Sequence, residues 1–244
     1  MTKLVLIVFE VEMNRITRDV LTQVKPGQNV QFEEKINADI VWKPALSYTI
    51  LKRCIDIVLA VLGIVALLPL FIFVAFYIKL EDGGPILHFR EIVGFNGRHF
   101  HALKFRTMIV DADSYLQKRP ELLRKFQHNM KLEQDPRVTN VGRILRKMSI
   151  DELPQLFNVV VGQMSLVGPR MIHPSELSRY GIYAEKRLSV KPGITGLWQI
   201  SGRGCGSYKE RIVLDMKYID QRSLLLDILV LIKTLKVFVV HTGA

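Results

Sequence analysis

Only two cysteines occur in 244 residues, Cys54 and Cys205, so neither a disulfide framework nor a cysteine-based zinc site can organise this chain. Glycine (16) and proline (10) are too sparse for a collagen-like or low-complexity sequence. No Walker or dinucleotide-binding glycine fingerprint appears, which removes the common soluble nucleotide-binding folds. The early apolar run Leu4–Phe9 stops at Glu10 with acids following and no small-residue cleavage site, unlike a secretory leader. Acidic residues are also in deficit: 23 against 34 Lys+Arg, a formal charge of +11. With 49% hydrophobic residues the chain is no disordered polycation, and the excess positive charge points to an anionic partner.

The dominant feature is an uncharged stretch of 22 residues, Ile57–Ile78, long enough to reach across a bilayer core. Pro69 interrupts its middle, where a lost backbone hydrogen bond predicts a kink. Both flanks are basic, with Lys52 and Arg53 before it and Lys79, Arg90 and Arg98 after it. Lys and Arg concentrate on the cytoplasmic side of membranes, so a helix that bends and returns accommodates both flanks better than a span. Arg53 and Asp56, three apart on one helical face, are placed to pair. Ahead of this segment, Leu4–Phe9 reads as a short strand and Thr17–Val24 as a weak helix, together a cytosolic appendage. After it, strands are expected over Ile86–Val93 and His99–Phe105. Helices are expected over Asp111–Asn129 with a break at Pro120, Val141–Met148, Asp151–Val160 and Tyr208–Tyr218. The apolar stretch Ser223–Val240 reads as an amphipathic helix on the protein or membrane surface.

The chemistry-bearing residues gather between Asp135 and Arg170. Arg137, Arg143, Arg146, Lys147 and Arg170 surround one adjacent acid pair, Asp151-Glu152. Ser149-x-x-Glu152 also matches a capping box, so the acids can equally mark an ordinary helix start. A carboxylate among arginines is alternatively a nucleophile or metal ligand, and arginines with Mg²⁺ are what phosphoryl transfer needs. Lys104 and Arg106, two apart at a strand end, project the same way and form a candidate diphosphate clamp. Gly142-Arg143, Gly168-Pro169-Arg170 and Gly202-Arg203-Gly204 put arginines beside flexible backbone. His99-x-His101 lacks further ligands and reads as a solvated strand face.

The order of these motifs carries more information than any one of them. Lys52-Arg53-Cys54-Ile55-Asp56, the apolar run with Pro69, Gly84-Pro85-Ile86, Lys104-Phe105-Arg106-Thr107-Met108, Asp135-Pro136-Arg137, Ser149–Gln155 (SIDELPQ), Met164–Arg170 (MSLVGPR), Lys191–Gly196 (KPGITG) and Ser201-Gly202-Arg203 follow one another. From about Leu51 onward the chain resembles the bacterial sugar transferases, the monotopic phosphoglycosyl transferases. The resemblance implies a mostly helical α+β fold: a re-entrant membrane helix and a cytosolic catalytic domain with a small β element and an interfacial amphipathic helix. The corresponding boundaries are an appendage over 1–48, the membrane helix over 49–80 and the catalytic domain over 81–244. It further implies that Asp151 attacks the β-phosphate of a UDP-sugar, expelling UMP, and that polyprenyl (undecaprenyl) phosphate then takes the sugar phosphate. Glu152 assists, with Mg²⁺ held by Asp151 and Glu152. Lys104, Arg106, Arg143, Arg146 and Arg170 fall at positions for phosphate recognition, and Arg203 at one for the nucleotide.

Two departures stand out. The family's kink is a Ser-Pro pair and here it is Leu68-Pro69, so the bend rests on Pro69 and the basic flanks. Met171 stands where a second proline is common. Gly196-Leu197-Trp198-Gln199 resembles the branch that handles galactose or glucose 1-phosphate. The resemblance implies a place on the bacterial inner membrane at the start of exopolysaccharide, capsule or O-antigen (lipopolysaccharide) assembly, with membrane lipid as neighbour and a homodimer allowed. The competing reading is a non-catalytic scaffold holding anionic lipid on its basic face. Nucleic acid is the weakest partner for this charge, since aromatics are not interleaved with the basic clusters.

Overall fold

The computed structural model describes residues 46–129, 132, 134–201 and 207–241. The expected strand at Leu4–Phe9 and helix at Thr17–Val24, as well as Arg203 and Cys205, lie outside the described residues. The first described element is helix α1, Leu46–Asp82, 37 residues and about 55 Å long. It runs through Pro69 as one continuous helix. One seam of α1 is covered by the rest of the protein: Asp56, Ala60, Phe71, Val74 and Ile78 are buried, with Ile64 and Leu67 between them. That spacing is a helical stripe. The remaining circumference is apolar and bare, with Leu62 at 60% and Val65 at 65% exposure. A soluble core helix would be buried on these sides, so this surface is made for lipid.

Polar groups at both ends of α1 reach the same domain. Near its start, the Arg53 guanidinium donates to the carbonyls of Val159 (2.6 Å) and Val160 (2.8 Å). Asp56 accepts from Ser165 Oγ (2.8 Å) and the Leu166 N–H (3.0 Å). The expected Arg53–Asp56 pair therefore gives way to two separate tethers, because burial against the domain offers each group better-satisfied partners. Near its end, Asp82 holds Arg106 through both carboxylate oxygens, and Glu81 accepts from the N–H groups of Asn140 (2.8 Å) and Val141 (3.3 Å).

An antiparallel hairpin follows, β1 (Leu87–Val93) and β2 (His99–Phe105), in the register Leu87↔Phe105 to Val93↔His99. The expected Asp111–Asn129 helix is divided, as anticipated at Pro120, into α2 (Ala112–Gln117) and α3 (Pro120–Asn129). Then come α4 (Asn140–Lys147) and α5 (Gln155–Val160). A small parallel ribbon pairs β3 (Ser165–Val167) with β4 (Gly193–Thr195), and α6 (Ala184–Leu188) lies between them in the chain. The remaining helices are α7 (Leu197–Ile200), α8 (Tyr208–Gln221) and α9 (Leu224–His241).

The core joins Ile92, Ala102, Val159, Met164 and Ile172 to Met216, Ile219 and Val230 on the last two helices. Helix α9 is amphipathic in an unusual sense. Its inner side buries Leu226 and Val230, and also Asp227, which accepts from Lys52 (2.8 Å) and Tyr218 (2.7 Å). Its outer side carries an apolar row of Leu225, Ile228, Ile232 and Leu235.

Candidate active site

The acid pair is positioned by a break in helical structure rather than by a helix start. Helix α4 opens with Thr139, whose Oγ1 accepts from the Gly142 N–H (3.0 Å). Gly142 lies so close to the strand end that a Cβ there would come within 2.2 Å of the Thr107 carbonyl oxygen. This contact lets Arg146, one turn further, donate from Nε to Thr107 Oγ1 (2.8 Å). After α4, Ser149 adopts φ 54°, ψ 22°, the left-handed region that few non-glycine residues occupy. The reversal feeds a single 3₁₀ turn, Ile150–Glu152, and Asp151 is left only 5% exposed.

The capping box read from Ser149 and Glu152 is not formed. The Ser149 side chain makes no cap, and the Glu152 carboxylate turns instead to Arg170 (2.9 Å to Nη2). A charge-assisted bond to a guanidinium outcompetes a neutral N–H.

Lys104 on β2 joins the two acids, 3.0 Å from Asp151 Oδ2 and 3.7 Å from Glu152 Oε1. The acids differ in character. Burial raises the pKa of Asp151, with the Glu152 charge adding to the effect and Lys104 and Arg146 opposing it. Burial also presses Glu152 upward, but Arg170, Lys104 and Arg90 outweigh it and hold Glu152 below the usual range.

Arg170 is aimed by its own backbone. Arg187, fully buried, donates from Nη2 to the Arg170 carbonyl (2.8 Å), and Arg211 donates to that of Met171 (3.2 Å). Tyr180 donates to Asp215 (2.7 Å), whose Oδ2 also lies 3.9 Å from Arg211 Nε, so a carboxylate accompanies the buried guanidiniums. The Gly168–Arg170 turn and the Gly193–Gly196 segment touch backbone to backbone. A Cβ on Gly193 would sit 2.1 Å from the Gly168 nitrogen, and one on Gly196 2.2 Å from the Gly168 oxygen. This contact brings Trp198 beside Arg170, with the ring centroid 5.6 Å from the Arg170 guanidinium carbon and 5.5 Å from that of Arg211.

These groups surround a cavity of about 590 Å³. Asp151, Glu152, Lys104, Arg146 and Arg170 supply its charge, and Leu153, Leu156 and Trp198 are among its apolar walls. Leu156 also packs on α1, where its Cδ1 lies 3.4 Å from the Cβ position of Gly63. One wall of the site is thus shared with the membrane helix.

Of the residues singled out in the sequence, Asp151, Glu152, Lys104, Arg146 and Arg170 come together here. Arg106 does not: Asp82 and the Pro85 carbonyl (2.6 Å to Nε) capture it at the end of α1. Arg143 is exposed on α4 and does not line the cavity. His99 bonds Glu91 (2.8 Å) on the exposed hairpin face. Thr107, Arg187 and Arg211 were not anticipated as parts of the site. Thr107 lies inside a quoted motif, whereas the two arginines are far along the chain and carry no local signal.

A buried, cation-neutralised carboxylate on a lipid-attached domain is the equipment of a group-transfer enzyme working at a bilayer surface. The profile of the family described as "Bacterial sugar transferase" matches residues 47–241, and the chain belongs to that family. It is 44% identical over 197 residues to an exopolysaccharide production protein, ExoY, of Sinorhizobium fredii, which covers 79% of this chain and 87% of that one. It is 42% identical over 198 residues to an undecaprenyl-phosphate galactose phosphotransferase of Salmonella typhimurium, covering 80% and 41% respectively. With an undecaprenyl-phosphate glucose phosphotransferase of Komagataeibacter xylinus it shares 41% over 196 residues, covering 76% and 35%. The chain therefore spans most of the first relative and well under half of the other two. It is an enzyme, a transferase, and its helix α1 is long and apolar enough to anchor it in a membrane.

Proposed function

We propose that the chain transfers a hexose 1-phosphate from a UDP-sugar to polyprenyl phosphate through an ester on Asp151. The observation that carries this reading is the carboxylate itself: buried, touching Lys104, and facing a cavity whose other charges are Glu152 and the guanidiniums of Arg146 and Arg170. In the first step an Asp151 oxygen attacks the phosphorus that bears the sugar. A P–O bond to the carboxylate forms, the P–O bond to the bridging oxygen breaks, and UMP leaves with the electron pair. In the second step a phosphate oxygen of the polyprenyl phosphate attacks the same phosphorus and the carboxylate departs, regenerating the enzyme.

Lys104, 3.0 Å away, favours the ionised form of Asp151 against the pull of burial. Arg146 and Arg170 then face the charge that spreads over the transferred phosphoryl oxygens. Glu152, anchored by Arg170, fixes where that guanidinium lies. Mg²⁺ belongs to the same reading. It typically takes one or two carboxylates plus substrate phosphates, and Asp151 with Glu152 fit the carboxylate share, supplying a site that offsets diphosphate charge. Among the described residues no group of three or more His, Cys, Asp or Glu is clustered for a metal.

Galactose or glucose is favoured by Gly196-Leu197-Trp198-Gln199 and by the names of the relatives, and exopolysaccharide initiation by that of ExoY. For the membrane element, entry and exit by the cytosolic face is supported by the tethers at both ends of α1 to one domain. The decisive experiment incubates the protein with UDP-galactose or UDP-glucose alone. Intact and peptide mass spectrometry should find a hexose-phosphate adduct on Asp151 and released UMP. Asp151→Asn should abolish both, and undiminished turnover in that variant would remove the covalent mechanism.

A further inference from the structure

A second cavity, about 650 Å³, lies behind the catalytic one. Alternation along β3 separates them: Ser165 and Val167 face this space, while Leu166 faces the site of Asp151. Four of its lining side chains are cationic, Lys52, Arg53, Lys191 and Arg222, against a single carboxylate, Asp56. That carboxylate accepts from Ser165 and Leu166, neutral donors that leave its single charge in place against the surrounding cations. Lys52 is neutralised by Asp227 at 2.8 Å. Arg53 is bonded only to neutral carbonyls, and Lys191 has no hydrogen bond or ion pair among the described residues.

Arg53 and Lys191, neither in a direct ion pair among the described residues, crowd one spot. A Cβ on Gly162 would lie 3.1 Å from Arg53 Nη2 and 3.7 Å from Lys191 Nζ. Burial, with Arg53 and Lys52 adding to it and Asp56 opposing, accordingly presses the Lys191 pKa downward. Gathering like charges in a half-buried cleft is unfavourable unless an anion enters it. The position says what kind of anion. The cleft is built on the first turns of α1, where Ile50 and Leu51 are bare and face the same side as the lipid-exposed surface.

We infer that this cavity binds the anionic phosphate head of a membrane lipid, apart from the catalytic cavity and independently of the reaction proposed above. Two lipids offer that chemistry, an anionic glycerophospholipid and a polyprenyl phosphate. The full chain in phosphatidylcholine nanodiscs is titrated with phosphatidylglycerol, with polyprenyl phosphate and with inorganic phosphate in separate arms. Native mass spectrometry then counts retained molecules. Phosphatidylglycerol or polyprenyl phosphate should be retained in preference to phosphatidylcholine, and the tighter arm identifies the source. Lys191→Gln should weaken retention about fivefold and Lys191→Arg should preserve it. In parallel, hydrogen exchange on the unmutated protein should show lipid-dependent protection of residues 48–56 and 189–191, which keeps the test valid if Lys191→Gln folds poorly. Equal retention by Lys191→Gln, equal retention of phosphatidylcholine, an effect of inorganic phosphate matching the lipids, or unchanged exchange at those residues would overturn the inference. Loss of the Asp151 adduct without loss of lipid retention would leave it standing.

Discussion

Two adjacent carboxylates, both buried and both touched by Lys104, shift in opposite directions because Arg170 pairs with only one of them. Asp151 is pushed up chiefly by burial, so its anion is lost at a higher pH than an ordinary carboxylate's. As the proposed nucleophile, Asp151 must be ionised. The acid limb of kcat/KM should therefore lie above the usual aspartate value of about 3.9. Lys104 opposes the shift, so Lys104→Met should move that limb to still higher pH, measured as UMP release across a buffer series. Glu152 carries the reverse sign. Held low by Arg170, it stays charged and contributes stability above its unfolded value, a contribution lost as pH falls through its lowered one. The adjacency of these acids and the presence of arginines were legible in the sequence. Which arginines serve them was not, because Arg106 and Arg170 look alike until Asp82 claims one and Glu152 the other.

Single elements carry the site through a few close contacts. Helix α4 can hold Arg146 over Thr107 only because Gly142 has no side chain, and Gly142→Ala would drive a Cβ into the Thr107 carbonyl. Relief requires α4 to shift, at about 1–3 kcal/mol, with a lower melting temperature and reduced turnover expected in the same preparation. Helix α1 is the element whose topology matters most. A span would send either the Arg53–Asp56 end or the Glu81–Asp82 end away from the domain, breaking hydrogen bonds now made at 2.6–3.0 Å near one end and at 2.8 Å near the other. Cysteines introduced at Leu46 and Gly83 should both react with a membrane-impermeant maleimide only when the cytosolic face is accessible. Labelling of either from the opposite face would establish a span. Hydropathy announced this helix plainly, whereas the three-residue strands β3 and β4 left no trace, since three residues are too few for a period to register.

At the scale of the described molecule, a mixed domain lies along one side of a long apolar helix, with Leu156 touching both the catalytic cavity and α1. A water-soluble donor and a lipid-borne acceptor can then use one carboxylate in turn. Donor alone should release a burst of one UMP per chain. Steady-state velocities against both substrates should give the parallel double-reciprocal lines of a ping-pong enzyme.

By itself, the amino-acid sequence determined the long apolar helix, the hairpin, most helices beyond it and the ordered string of motifs. All of these are written in local periodicity, composition and neighbouring residues. Tertiary structure alone decided that Ser149-Ile150-Asp151-Glu152 is a strained turn rather than a capped helix, that Arg187 and Arg211 aim Arg170, and that α1 is fastened at both ends. Those outcomes depend on which distant groups meet once water is excluded. Partners 17, 24 or 106 residues apart compete for the same charge there, and no local pattern records the winner.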